Sequence, residues 1–544
     1  MKKFFAFAIS AVMLTGMLAG CGKNATNNAT DNGTMAATVP AATESFEGTQ
    51  IVLSDSGIKA DGNEVTADSS QTVYVANDIV YYESGHDFKY GEGTEADAHT
   101  TEEAAAHTVV HITKAGSYVI SGKLSKGQIA VDLGDGAEDD PNEVVTLILN
   151  NADISCEVAP AIIFYNVYEC GEKDTETATK DVDTSAAGAN VIIADGSVNN
   201  ISGSYVARIY KPDSVVLNAD GTEVEDAKKL HKYDAAFYSK MTMNVGGGKV
   251  GDGVLNINAE NEGLDSELHL TINGGNINIV SGNDGINTNE DGVSVTTVNG
   301  GSVNIFVDGK TGEGDGIDSN GWLVINGGSV TAQACAFSGD AGIDSDMGIH
   351  ICGGKVFATG NMLDRISESK QNYAVFSFAQ TQQGGTFSLK NSQDTVIAEK
   401  EITNGFTYLI ISDEALAAGD YTLWKDDVQL QGAGSENMGG GMRPDGMQPE
   451  GMQPDGMVPP EMPEGMTRPE MPEGMEIPED FTRPEMPEGF EPPEGFEDMP
   501  MKGERPDGMR DPNKGFGQGG AAELSAKFAI KDGGNYFTSV TEIK

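Results

Sequence analysis

Positive charge is what this 544-residue chain has least of. Thirty-four Lys and Arg stand against 84 Asp and Glu, a formal charge of −50. Repulsion therefore argues against nucleic acid or an anionic membrane surface as a direct partner. Large apolar groups are also scarce, with hydrophobic residues at 38% and aromatics at 7%, which excludes a bundle or coiled coil rich in Leu and Ala. Cysteine occurs five times without a Cys-x-x-Cys pair, so a zinc ribbon has no support. The seven histidines are scattered and read as structural or solvated residues. Glycine is abundant, with 70 residues, roughly twice average usage. That balance points to many short strands joined by glycine turns.

Long apolar runs are missing except at the start. Lys2 and Lys3 precede an apolar stretch from Phe4 to Leu18, the layout of a secretory signal and too short to cross a bilayer comfortably. It ends in Leu18-Ala19-Gly20-Cys21, which resembles the lipobox of bacterial lipoproteins, with Cys21 as the lipidated residue. Residues 1–20 are thus expected to be a signal peptide and 21–50, rich in Asn, Thr and Ala, a disordered tether. The chain should be exported and held outside the cell membrane by acyl chains alone. Of the remaining thiols, Cys335 could face Cys352 in a neighbouring coil, but no pairing of Cys156, Cys170, Cys335 and Cys352 follows from sequence.

A second change of composition falls near the C-terminus. Sixteen of the 20 prolines lie between Pro444 and Pro512, and 13 of the 21 methionines between Met438 and Met509. Residues 436–520 read as a disordered Met/Pro/Glu/Gly spacer; the thioethers are a remote candidate for Cu(I). After it, Leu524–Val540 alternates apolar and polar residues around Asp532-Gly533-Gly534, a hairpin signal. Residues 521–544 are expected to be final strands packing on the domain that precedes the spacer.

That domain, residues 51–435, contains a repeat. Ile272-Asn273-Gly274-Gly275, Val298-Asn299-Gly300-Gly301, Ile325-Asn326-Gly327-Gly328 and Ile351-Cys352-Gly353-Gly354 recur at intervals of 26, 27 and 26 residues, flanked by short alternating strands. Such a period predicts stacked coils. A propeller blade would be longer, the leucine-rich pattern is absent, and so is the tandem Gly-Gly-x-Gly-x-Asp of calcium-binding rolls. The expected fold is all-β, a parallel β-helix.

Between those corners lies a second motif: Glu262-Gly263-Leu264-Asp265, Asp284-Gly285-Ile286-Asn287, Asp315-Gly316-Ile317-Asp318 and Ala341-Gly342-Ile343-Asp344, the last preceded by Asp340. Stacked coils would set Asp265, Asn287, Asp318 and Asp344 about 4.8 Å apart. Glu262, Asp284 and Asp315 would form a parallel row, with Asp340 beside it. Ionised carboxylates so close repel by several kcal/mol at an effective dielectric near 20. They must be protonated, turn outward or share a cation, and an all-oxygen set suits Ca²⁺. The alternative is a run of Asx turns with glycine supplying positive φ.

With these runs in view, the sequence resembles the clostridial carbohydrate-binding surface proteins built on a polysaccharide-lyase-like right-handed β-helix. The resemblance lies in Lys114–Gly122, Gly127–Asp132, Val145–Ile154, Ala235–Lys240 and the Asp-Gly-Ile-Asp-Ser loops. It implies calcium in the acidic loops and binding of glycans such as cellulose or polygalacturonate, without established lyase activity. The chain departs from the family pattern at Met241–Val245, and in a long insertion from Ala207 to Leu230. The expected protein is a monomeric, non-catalytic polysaccharide binder, with Trp322 as a candidate sugar platform. A lyase would need a base, for which Lys240, Lys310 and Arg365 are candidates without a distinguishing spacing. An adhesive surface spike is the third alternative.

Overall fold

The computed structural model describes residues 46–435 and 524–543. The signal region, Cys21, nearly all of the proposed tether and the spacer lie outside the described residues. Among those described, one α-helix occurs, Thr101–Ala105, started by Thr100, whose hydroxyl accepts from the Glu103 N–H while Glu103 reaches back to the Thr100 N–H. None is long and apolar enough to cross a membrane. Two single-turn 3₁₀ helices, Ala137–Asp139 and Pro212–Ser214, and many strands make up the rest of the regular structure.

The sheets are mixed. Most pairings are parallel and fall into three ladders. The first runs through Thr49–Leu53, Gly116–Leu124, Val145–Cys156, Ala189–Ile193, Met243–Gly247, His269–Ile272, Val295–Val298, Trp322–Ile325, Gly348–Ile351 and Ile366–Ser369. The second joins the end of Val145–Cys156 to Val198–Gly203, Val254–Ala259, Asn276–Ser281, Ser302–Val307, Ser329–Gln333 and Lys355–Gly360. The third runs through Thr108–Ile112, Gly127–Asp132, Ile162–Asn166, Ala235–Ser239, Glu262–Ser266 and Ile286–Thr288. Single bridges from Ile286 to Ile317 and on to Ile343 continue it.

The strand sequences explain the ladders. In Asn276–Ser281, Ile277 and Ile279 are buried while Asn278 and Val280 face outward, the alternation of a half-buried strand. Ile272 pairs with Val298, Val298 with Ile325, and Ile325 with Ile351, so the 26-, 27- and 26-residue intervals are the register itself. Inward residues of all three ladders share one core, including Ile272, Ile279 and Leu264 from successive strands. At the corner after the first ladder, Asn299 donates to Asn273 and Asn326 to Asn299, each at 2.9 Å. Cys352 stands where a fourth amide would continue the column. The following glycines must be glycine: Gly328 has φ +77°, and a Cβ there would lie 2.7 Å from the Gly300 carbonyl carbon.

From Tyr373 onward the pairing becomes largely antiparallel, unlike the single run of coils expected to residue 435. Phe406–Ser412 pairs antiparallel with both Lys355–Gly360 and Tyr373–Gln382. Here the strands are longer and fold back through tight turns, such as Asn391–Thr395 with Asp394 at φ +58°. They enclose a second core of aromatic rings, Phe376, Phe387, Phe406, Phe528 and Phe537 among them, stacked or edge-to-face at 5.0–5.3 Å. The last strand, Gly534–Glu542, pairs parallel with Tyr373–Gln382 and antiparallel with Val428–Ser435. The insertion forms a separate antiparallel pair, Val206–Tyr210 with Lys229–Tyr233.

Candidate metal centre

The third ladder brings the acidic motif together. Asp265 is the register partner of Asn287, and the Ile286–Ile317 and Ile317–Ile343 bridges place Asp318 and Asp344 next in the same row. Tyr238 precedes Asp265 in that row, and its hydroxyl donates to Glu267. The residue after each acid anchors the turn into the first ladder: the Ser266 hydroxyl donates to the His269 carbonyl and that of Ser319 to the Trp322 carbonyl, both at 3.0 Å. Thr288 and Ser319 hydroxyls lie 2.8 Å apart.

Two groups of oxygens result. In the first, Asn287 donates to Glu262 at 3.3 Å and Asn289 donates to Asp265 at 2.7 Å. Lys232 donates to the Asn289 side-chain Oδ1 at 2.8 Å and lies 4.0 Å from Asp234. Glu262 Oε2, Asp265 Oδ2 and Asn287 Oδ1 remain buried without a hydrogen-bond donor. An acceptor left so costs about 1–3 kcal/mol. In the second, Asp315, Asp318 and Asp344 each bring a carboxylate oxygen within 4.8 Å of the others. The Asp284 carboxylate accepts from the Asp315 N–H at 2.7 Å, which ties its row to the next strand.

Burial and mutual repulsion hold these carboxyls far from their ordinary range. Burial, then the Asp234 charge, pushes Glu262 up to about 8. Burial, then Asp344, pushes both Asp318 and Asp364 up to about 7. Asp265 and Asp284 are raised by burial and by Glu262, and Asp315 by burial and Asp344. The donor set is oxygen throughout and convergent, and three oxygens of the first group lack hydrogen-bond partners, so it fits a hard divalent cation such as Ca²⁺.

Other expected residues are not part of the two groups. Asp340 is engaged elsewhere: it accepts from the Gly314 N–H at 2.6 Å and from the Ser338 hydroxyl, and Ala341 occupies the row position below Asp315. Trp322 begins a strand of the first ladder between Val295 and Gly348, partly buried. Lys310 pairs with Asp308 at 2.8 Å, and Lys240 is exposed at the end of its strand. Arg365 follows Asp364 and is exposed. Cys156, Cys170, Cys335 and Cys352 are all free thiols.

Four participants were missed from sequence: Asn289, Lys232, Asp234 and Asp364. Asn289 had a signal, since it follows Asn287 by two along an extended segment and so shares its face. Asp234 and Lys232 stand just before the Ala235–Lys240 run but outside the repeated motif. Asp364, whose carboxylate accepts from the Ser345 N–H at 3.1 Å, follows Leu363 where no Gly-Ile-Asp pattern marks it.

Comparison with known proteins gives three results. No curated protein matches the sequence. Among solved structures, the gadolinium derivative of the polysaccharide lyase-like protein from C. thermocellum is similar at 19% identity and a TM-score of 0.31, covering 59% of this chain and 99% of that one. A family model described as carbohydrate-binding domain-containing protein matches residues 106–415, a span that takes in the second and third ladders, all of the first but its Thr49–Leu53 strand, and the acidic rows. Since that match covers more than half of the 544 residues, the chain belongs to the carbohydrate-binding domain-containing family.

Proposed function

We propose that the protein is a non-catalytic polysaccharide-binding module, stiffened by calcium and displayed on the cell surface through a lipid on Cys21. In this reading the three parallel ladders wind as one right-handed parallel β-helix, and the antiparallel strands after Tyr373 close its C-terminal end. Family membership supports a polysaccharide ligand. The observation that carries the calcium reading is the set of buried acceptors without donors, Glu262 Oε2, Asp265 Oδ2 and Asn287 Oδ1, beside the Asp315, Asp318 and Asp344 cluster. Glu262, Asp265 and Asn287 would hold one ion, and Asp315, Asp318 and Asp344 another. A bound cation would neutralise rows that are otherwise mutually repulsive, and fix the loops that carry them. The Asn287 and Asn289 amides orient Glu262 and Asp265 meanwhile.

The test is co-sedimentation with insoluble cellulose and with calcium-gelled polygalacturonate, before and after chelation. Binding to either polymer supports the reading. Absence of binding to both, or appearance of an unsaturated, ultraviolet-absorbing uronate product, would remove it. The lyase alternative gains nothing from the candidate bases, since Lys310 is committed to Asp308 and the Lys240 backbone ends its strand at an exposed position.

A further inference from the structure

The insertion from Ala207 to Leu230 has no place in the acidic rows, yet it builds a cavity. Its antiparallel pair is joined to the segment around Tyr90 by backbone hydrogen bonds, from the Glu92 N–H to the Arg208 carbonyl at 2.8 Å and from the Tyr210 N–H to the Tyr90 carbonyl at 2.9 Å. Glu92 adds ionic ties to Arg208 at 3.5 Å and Lys229 at 3.2 Å. Between the two segments lies a cleft of about 550 Å³, within the roughly 300–1,000 Å³ of ligand-binding clefts.

The lining of the cleft is aromatic and apolar with a polar rim. Tyr81, Tyr90, Tyr210 and Leu230 contribute rings and methyl groups, and Glu83 and His86 contribute hydrogen-bonding groups. Tyr90 is fixed in place, stacked on His86 at 3.9 Å and tilted against Tyr82 at 5.0 Å. His86 is in turn held by Glu83 at 3.0 Å. Neither Tyr81 nor Tyr210 is paired with another ring in this way, and Leu230 is 48% exposed at the mouth. Amphipathic rings beside fixed hydrogen-bonding groups match a pyranose, which has an apolar C–H face and a hydroxyl edge.

Charge selects among sugars. The lining carries two carboxylates, Glu83 and Asp87, against one ammonium, Lys89, in a chain at −50. A uronate would meet net repulsion there, whereas an uncharged ring would not.

We infer that this cleft is the contact site for uncharged sugar rings of the polysaccharide, with Tyr81 and Tyr210 as its stacking platforms. The inference rests on the polysaccharide-binding reading and places its site on residues other than Trp322 and the acidic rows.

Affinity electrophoresis of the full chain through gels containing hydroxyethylcellulose, xyloglucan, galactomannan or polygalacturonate tests it. Retardation by at least one neutral polymer is expected, weakened tenfold or more in Tyr81→Ala and Tyr210→Ala and largely retained in Tyr81→Phe and Tyr210→Phe. Leu230→Asp, at an exposed position, should weaken binding severalfold without shifting the unfolding midpoint, which keeps the test decisive should the alanine variants unfold. Undiminished retardation of well-folded variants would overturn the cleft and leave polysaccharide binding standing. Retardation by polygalacturonate alone would overturn the neutral-sugar assignment. An unretarded wild type would overturn both.

Discussion

At the scale of single residues, the acidic rows contain groups that look equivalent in sequence but are not equivalent in space. Asp318 sits within reach of Asp315 and Asp344, whereas the Asp340 carboxylate is spent on the Gly314 N–H and the Ser338 hydroxyl. Substituting an amide for Asp318 removes one of three mutually repelling charges but also one ligand. In chelator above neutral pH, Asp318→Asn should therefore be more stable than the parent, by on the order of 1 kcal/mol or more. In calcium it should be less stable than the parent and bind the ion at least tenfold more weakly. Asp340→Asn should leave the calcium affinity within about twofold. Calorimetric titration with calcium and chemical unfolding in chelator read these quantities directly. Equal calcium affinity in the parent and Asp318→Asn would detach Asp318 from the site. Sequence spacing already set Asp340 beside the row rather than in it, with Ala341 at the row position, and the Asp340 carboxylate is turned to the Gly314 N–H and the Ser338 hydroxyl.

At the scale of elements, the ladders are stabilised by repetition, so their weak points are the corners where the chain must turn in the same way after each strand. Gly328 follows Gly301 in the stack, both with positive φ, and their backbones approach too closely for a side chain. Gly328→Ala should cost about 1–3 kcal/mol, since strain and steric contact act together. Asn299 is both donor to Asn273 and acceptor from Asn326, so Asn299→Ala interrupts the column and should cost about 1–2 kcal/mol. Denaturant midpoints of the two variants check both values, and a Gly328→Ala variant as stable as the parent would contradict the corner geometry. These elements were legible in the sequence because each depends on a local pattern: alternation within a strand and recurrence of a corner. The rest depends on long paths. Lys232 meets Asn289 across 57 residues, and the aromatic core after Tyr373 joins strands on both sides of the long 436–520 segment. The cleft at Tyr81 and Tyr210 needs a segment near residue 80 to meet an insertion near residue 210, which no repeat marks. Trp322 drew notice as a rare residue, but its place is at the start of a ladder strand, partly buried.

At the scale of the whole molecule, the excess of acid ties stability to pH and to calcium together. A carboxyl whose pKa is higher in the folded chain than in the unfolded one holds its proton more tightly when folded. Glu262, ordinarily at 4.5, is pushed up to about 8, and Asp318 and Asp364, ordinarily at 3.8, to about 7. Their folded-state protonation contributes stability fully below about pH 4, and it is lost as pH rises through about 7 to 8. Without a divalent ion, the melting temperature should therefore fall between about pH 5 and pH 8. Under the proposed reading calcium would bind the ionised rows and compete with the proton, so its stabilisation should grow over the same interval. At a hundredfold excess over its dissociation constant it adds about 2.7 kcal/mol per site. Melting curves in calcium and in chelator should thus lie close together at about pH 5 and diverge steadily toward pH 8. Magnesium should substitute poorly, because it demands a tighter octahedral shell than loops spaced by strand stacking supply. Curves that stay superimposed at every pH would remove calcium from the rows. A gap of constant width would place the ion on ligands that do not titrate in this range, away from Glu262 and Asp318.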